Sequence, residues 1–269
     1  MGQITRMINK ILLGTGISVS QIGLGTVKFG RNQKMNYPTA FSLPSDKEIL
    51  TLLDCAEELG INLLDTAPAY GTSEERLGKL LNGQRHRWVL CTKAGEEFMN
   101  GESYFDFSAS SLRKSIERSL KRLHTDYLDI VLIHSNGEDK KIIEQDAVFS
   151  TLADLKQSGL IRAYGMSTKT LEGGLMAVDH SDIVMVTYNP IHTLEQSVIT
   201  HGKQKNKGIF IKKALASGHL QKIAGDDPVH TAIHFIFQQP GVSSIIIGTL
   251  NETHLKHAVQ CANHALTDL

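Results

Sequence analysis

No stretch of this chain approaches the roughly 20 apolar residues that a membrane-crossing helix requires, and no charged segment followed by an apolar run opens it. A membrane span and a secretory leader are therefore not expected, and a cytoplasmic location is. Cysteine is scarce. Cys55, Cys91 and Cys261 are odd in number, far apart, and outside any Cys-x-x-Cys or metal-ligand spacing, which suits a reducing compartment and gives no reason to expect a bound metal. Charge of one sign is never in excess: Lys plus Arg and Asp plus Glu both number 28, so no basic field exists to steer nucleic acid. Linkers, repeats and low-complexity tracts are missing too, and residues 1–269 are expected to form one domain.

What the chain does contain is a repeated alternation of short apolar, β-branched runs with longer amphipathic segments, the sequence form of a parallel sheet covered by helices. Eight strands are expected, at Gln21–Thr26, Ile61–Leu64, Trp88–Thr92, Tyr127–His134, Ile161–Ser167, Ile183–Tyr188, Gly208–Lys212 and Ser244–Ile247. Between them run helical patterns. In Ser108–Leu123 the apolar positions Leu112, Ile116, Leu120 and Leu123 recur at spacings of four and three, which leaves one face for burial. Gly60, Gly159 and Gly208 stand where helices want left-handed caps. Strands without polar alternation are buried on both faces, and eight βα units in a chain of this length predict a closed (β/α)8 TIM barrel, with an open sheet as the structural alternative.

Ahead of the first barrel strand, Leu13-Gly14-Thr15-Gly16 within Lys10–Ser20 predicts a β-hairpin closing the barrel bottom. Two long loops, Phe29–Ser45 and Ser135–Asp146, leave the carboxyl ends of strands, where barrel enzymes build their sites.

Four polar residues belong at that end. Asp65 ends the second strand, Tyr70 follows five residues later, Lys93 ends the third and His134 the fourth. A tyrosine of pKa about 10 is a poor acid or base near neutrality, but an adjacent ammonium stabilises its phenolate. Lys93 supplies that charge, and Asp65 keeps a buried lysine protonated against desolvation. His134 offers a hydrogen bond to a substrate oxygen and a route for a proton.

The segment Asn62-Leu63-Leu64-Asp65-Thr66-Ala67-Pro68-Ala69-Tyr70-Gly71, followed by Ser73-Glu74-Glu75-Arg76-Leu77-Gly78, closely resembles the signature of the aldo-keto reductase superfamily. The likeness extends through Asp126-Tyr127-Leu128-Asp129, His134, Gly165-Met166-Ser167 and Ile247-Gly248-Thr249. It implies an oxidoreductase with a catalytic tetrad of Asp65, Tyr70, Lys93 and His134, in which Tyr70 is the general acid/base. Hydride would pass directly between NADP(H) or NAD(H) and a small carbonyl or hydroxy compound: an aldehyde, a ketone or a sugar.

The same resemblance implies that Gly25, Thr26 and Asp65 lie near the cofactor, Ser167, Thr168 and Met185 near the carboxamide, and Lys212 against the nicotinamide. The far end of the cofactor would meet Gly248, Thr249, Leu250, Asn251 and His254. Thr168 and Met185 stand where asparagine and glutamine are usual, and Lys212 where many members stack an aromatic ring. The 2′-phosphate region lacks the lysine and arginine expected at its two ends, so the family favours NADP(H) while these residues leave NAD(H) open. A chain ending soon after its last helix would lack the long loop that encloses steroids in some relatives. A monomer or weak homo-oligomer is expected.

Two other patterns carry no site. Gly23-Leu24-Gly25 with Gly30 has its third glycine misplaced for a dinucleotide-binding turn, and no helix is expected there. His230 and His234 lack the glutamate of a zinc-protease motif. An alternative of another class, a cofactor-binding regulatory module sensing nicotinamide redox state with little turnover, and a third, a barrel kept as a scaffold, compete with the enzyme.

Overall fold

The structure is a computed structural model that describes residues 6–267, apart from Ile8, Leu13 and Asp146. The strands are β1 (Asn9–Ile11), β2 (Ser18–Ser20), β3 (Ile22–Gly25), β4 (Leu63–Asp65), β5 (Val89–Ala94), β6 (Glu96–Met99), β7 (Glu102–Phe105), β8 (Leu128–His134), β9 (Ile161–Ser167), β10 (Ile183–Thr187), β11 (Gly208–Lys212) and β12 (Ser244–Ile247). The helices are α1 (Val27–Gly30), α2 (Asp46–Glu58), α3 (Ser73–Leu80), α4 (Ala109–Arg122), α5 (Asp139–Gln145), α6 (Val148–Gln157), α7 (Leu171–His180), α8 (Gln196–Gln204), α9 (Pro228–Phe237) and α10 (Glu252–Thr267).

Eight strands close into a barrel in the order β3-β4-β5-β8-β9-β10-β11-β12, and β12 returns to β3 through the parallel register Ile247↔Leu24. All eight are the strands the sequence predicts, with ends shifted by a residue or two. The fold is the (β/α)8 barrel. Side chains alternate across each strand. On β8, Ile130 and Leu132 point into the interior cluster, while Val131 and Ile133 pack outward with the helices. From Ile130 to Ile133 both faces are apolar, so that stretch reads as one hydrophobic run.

The β1–β2 hairpin pairs Asn9 with Ser20 and Ile11 with Ser18, and sends Leu12, Ile17 and Val19 into that same interior cluster beside Leu63, Val89 and Ile183. These last three stand at the amino-terminal ends of their strands, so the hairpin stoppers the barrel bottom. Leu13 of the predicted turn lies outside the described residues. Across that floor, Asp129 is buried and holds Arg85 at 2.8 Å and Arg162 at 2.7 Å.

Four expectations are corrected. Gly208 is no left-handed cap: Asn206 takes the positive φ of 55°, and Gly208 opens β11, where a Cβ would meet Ile183 at 3.0 Å. Gly60 and Gly159 do have positive φ. The span Ser135–Asp146 is not a plain loop, because Asp139–Gln145 is helical, and a short helical turn, α1, does follow β3. The antiparallel hairpin β6–β7, turning at Asn100 and Gly101 with φ of 54° and 80°, was not expected at all. Among the described residues no helix is long and apolar enough to cross a membrane.

Candidate active site

The side-chain parity that fills the interior also builds the mouth. Leu63, Cys91 and Leu132 are interior residues, and two positions further along the same strands stand Asp65, Lys93 and His134. Ala163 and Phe210 likewise lead to Ser167 and Lys212, with one more alternation between Ala163 and Ser167. Polar residues thus begin where the apolar filling stops, at the carboxyl ends.

Tyr70 arrives differently, on a 3-10 turn, Pro68–Tyr70, after β4. Gly71 ends that turn at φ 61°, and a Cβ there would lie 2.2 Å from the Gly30 carbonyl oxygen. The turn therefore rests directly on α1, and only glycine permits the approach. Arg76 clamps the loop between, its two terminal nitrogens donating to the carbonyls of Phe29 and Pro44, each at 2.6 Å.

Lys93 is only 1 % exposed; its Nζ donates to Asp65 Oδ1 at 2.7 Å and to the Thr66 carbonyl at 2.9 Å, and lies 4.9 Å from the Tyr70 ring centroid. The rings of Tyr70 and His134 meet edge-on, 6.2 Å apart. All four predicted residues converge. Burial alone would drive the proton off Lys93, but Asp65 and Tyr70 outweigh it and hold the lysine's pKa above its ordinary value. Lys93 lowers the Tyr70 pKa as expected, but burial raises it by more, so Tyr70 keeps its proton at neutral pH.

Three charged residues at the mouth escaped the sequence reading. Glu96 opens β6 and places Oε2 2.7 Å from Nδ1 of His134. Arg31 lies 3.4 Å from the Phe98 ring centroid and donates to the Ala69 carbonyl. Glu195, nearly buried, accepts from the Thr187 amide at 2.9 Å and stands near Lys212. The Asn100-Gly101 pair was the available signal for the first, since it marks a hairpin that carries Glu96; the others follow from no local pattern.

The residues expected to touch a cofactor separate into groups. Gly25 and Gly248 leave bare backbone at the adjoining ends of β3 and β12: a Cβ on Gly25 would meet Ile246 at 3.0 Å, and one on Gly248 the Tyr37 hydroxyl at 3.4 Å. Thr26 is buried, its hydroxyl donating to the Asp65 carbonyl. Ser167 accepts from Lys212 Nζ at 2.9 Å, and the Thr168 carbonyl accepts from the same ammonium. Met185 packs in the barrel interior. Thr249 Oγ1 accepts from the Asn251 amide, and Asn251 Oδ1 from the amides of Thr253 and His254, which ties the start of α10. Leu250 lines a cleft of about 770 Å³ with Lys47, Glu48 and Glu252, while His254 is exposed. A cradle of missing side chains beside donors and an open cleft fits a long, flat dinucleotide.

Burial pushes the Lys212 pKa down to about 7, with Glu195 only partly opposing it. The unfolded lysine titrates near 10.4, so below pH 7 both states are charged and the burial cost is fully felt; between these values unfolding takes up a proton and stability rises with pH. Lys212→Met is expected to raise the melting temperature at pH 6, with the gain shrinking toward pH 10, as calorimetry at the two pH values would show.

Residues 21–224 match the family model Aldo/keto reductase family, and the chain belongs to that family of oxidoreductases. It superimposes with a TM-score of 0.88 on the crystal structure of a Pseudomonas aeruginosa protein assigned to the aldo-keto reductases, 51 % identical over 96 % of each chain. It is 29 % identical to YqkF of Bacillus subtilis, an uncharacterized oxidoreductase, over 95 % of this chain and 92 % of that one. It is also 30 % identical to L-galactose dehydrogenase of Arabidopsis thaliana, over 80 % of this chain and 68 % of that one.

Proposed function

We propose that this aldo-keto reductase reduces small aldehydes, ketones or sugars, or oxidises the matching hydroxy compounds, with a nicotinamide cofactor lying across the barrel mouth. The observation that carries the reading is the buried Lys93, held 2.7 Å from Asp65 and pressed against the Tyr70 ring beside His134. A structural barrel has no use for a desolvated ion pair aimed at a phenol.

When bound, a dihydronicotinamide would supply the hydride that the carbonyl carbon accepts. Tyr70, protonated at rest, donates its proton to the carbonyl oxygen, and the Lys93 ammonium stabilises the phenolate that remains. Asp65 keeps that ammonium charged. His134 orients the oxygen, and Ser167 with Lys212 presents donors for the carboxamide. In the opposite direction Tyr70 must first lose its proton, which its raised pKa opposes. The mouth residues Arg31, Glu96, His134 and Lys212 suit a hydroxylated or otherwise polar substrate, and the relative named L-galactose dehydrogenase supports the same class.

For the far end of the cofactor we infer NAD(H) rather than NADP(H). The cleft beside Leu250 carries two carboxylates, Glu48 and Glu252, against one cation, Lys47. Hydrogen bonds from Ser45 hold the Glu48 pKa below its usual range, so its charge is present at neutrality. A 2′-phosphate dianion meets repulsion there, whereas a ribose hydroxyl finds acceptors. Fluorescence titration should give NADH an affinity at least about tenfold above that of NADPH, a factor of ten being one ordinary charge contact. Equal affinities would reject the preference. Binding of neither, together with no aldehyde-dependent loss of nicotinamide absorbance, would reject the enzyme; tight binding without turnover would select the regulatory module.

A further inference from the structure

His134 does not stand alone at the mouth. Its Nδ1 lies 2.7 Å from Oε2 of Glu96, a contact bent away from the in-plane N–H direction. Glu96 comes from outside the barrel strands: β5 ends at Ala94, Gly95 turns with φ 99°, and β6 begins at Glu96. The antiparallel partner β7 secures it, because Glu96 pairs with Phe105 in register and its Oε1 accepts from the Ser103 hydroxyl at 2.6 Å. Arg31 stacks on Phe98 of the same hairpin, and Phe107 packs 2.5 Å from where a Cβ on Gly95 would stand. Glu96 is 9 % exposed as a residue. A buried charge delivered by a separate, well-fastened hairpin to the imidazole of the site calls for a use.

We propose that Glu96 is a positioning residue that acts through His134: its carboxylate supplies the counter-charge that lets the imidazole take up a proton and pass it to Tyr70. This rests on the reading of Tyr70 as the acid. The balance is simple. Tyr70 gives its proton to the substrate oxygen; the neutral imidazole takes one from solvent hydronium at the mouth on Nε2, the nitrogen turned away from Glu96, and the imidazolium so formed passes one to the phenolate, which returns both groups to their resting forms. The carboxylate stays ionised throughout, since the His134 and Ser103 contacts overcome burial and push the Glu96 pKa down to about 2.

Other charges face the ring. Lys93 and Lys212 oppose a second proton on His134, burial opposes it more, and Glu96 alone favours it, so the free enzyme holds the imidazole neutral, below its ordinary pKa. Lys169 and Arg31 lie near Glu96 itself. Glu96 thus keeps the imidazolium within reach and does not make it the resting state. A carboxylate that merely filled space would leave this balance unmoved.

The test is Glu96→Gln, which keeps the shape and the Ser103 partner and removes the charge. Histidine-labelled protein followed by NMR should show the His134 midpoint fall by about one pH unit, a tenfold change in proton affinity. The pH profile of kcat for aldehyde reduction should lose its plateau at correspondingly lower pH, with KM little changed. Glu96→Asp, charged but shorter, should fall between the two in both readouts. An unmoved His134 midpoint, or a kcat profile that keeps its position while the midpoint moves, overturns the proposal. The midpoint is read on the free protein, so it judges the Glu96–His134 couple even if the carbonyl-reductase reading fails; that failure would show separately, as wild-type turnover unaffected by loss of the Tyr70 hydroxyl.

Discussion

Tyr70→Phe should lower kcat/KM for aldehyde reduction by about 10²–10⁴-fold, the range that a positioned proton donor contributes. Nicotinamide binding should be unaltered. The ring fills the same space, so the 3-10 turn between Pro68 and Gly71 keeps its shape, and the ion pair of Lys93 with Asp65 remains intact beneath it. What disappears is the one proton held at the carbonyl oxygen by a group that burial keeps protonated. Initial rates followed at the nicotinamide absorbance band, beside a binding titration, separate the two effects. A variant within threefold of the wild type would remove Tyr70 from the mechanism.

Asp65→Asn attacks the layer below. Removing one partner of a buried pair leaves the other charge uncompensated, at a cost of about 3–5 kcal/mol. Lys93, 1 % exposed, then has only the Thr66 carbonyl and its neighbours. In the wild type the raised pKa of Lys93 contributes stability that is complete below the unfolded value near 10.4 and fades only as pH climbs through the folded value above it. The variant reverses the sign. Without Asp65, burial lowers the lysine's pKa below the unfolded value, so the deficit is greatest at low pH and shrinks as the proton is shed at higher pH. Urea melts at pH 6 and pH 9 would show this, and activity should be lost at both. The double variant Asp65→Asn/Lys93→Met should regain much of the stability and none of the activity, which separates the fold's need of the pair from the chemistry's.

Much of this site could be read along the strands. Once Leu63, Cys91 and Leu132 are placed inside the barrel, a period of two brings Asp65, Lys93 and His134 to its mouth, and the same count reaches Lys212 from Phe210. What escaped has other causes. The β6–β7 hairpin is only four residues per strand, and its β7 half is exposed throughout, so it lacks the apolar run by which the barrel strands are recognised. Glu96 was lost with it. Helix α5 is seven residues long with two buried positions, Asp139 and Ile142, too few to show a period. The raised pKa of Tyr70 depends on depth of burial, which adjacency to a lysine in a motif does not report.

The stoppered floor has a consequence for traffic. With Leu12, Ile17 and Val19 wedged among the inner side chains of the strands, the described residues leave no passage through the floor, and a small molecule bound for Lys93 comes and goes by the opposite end.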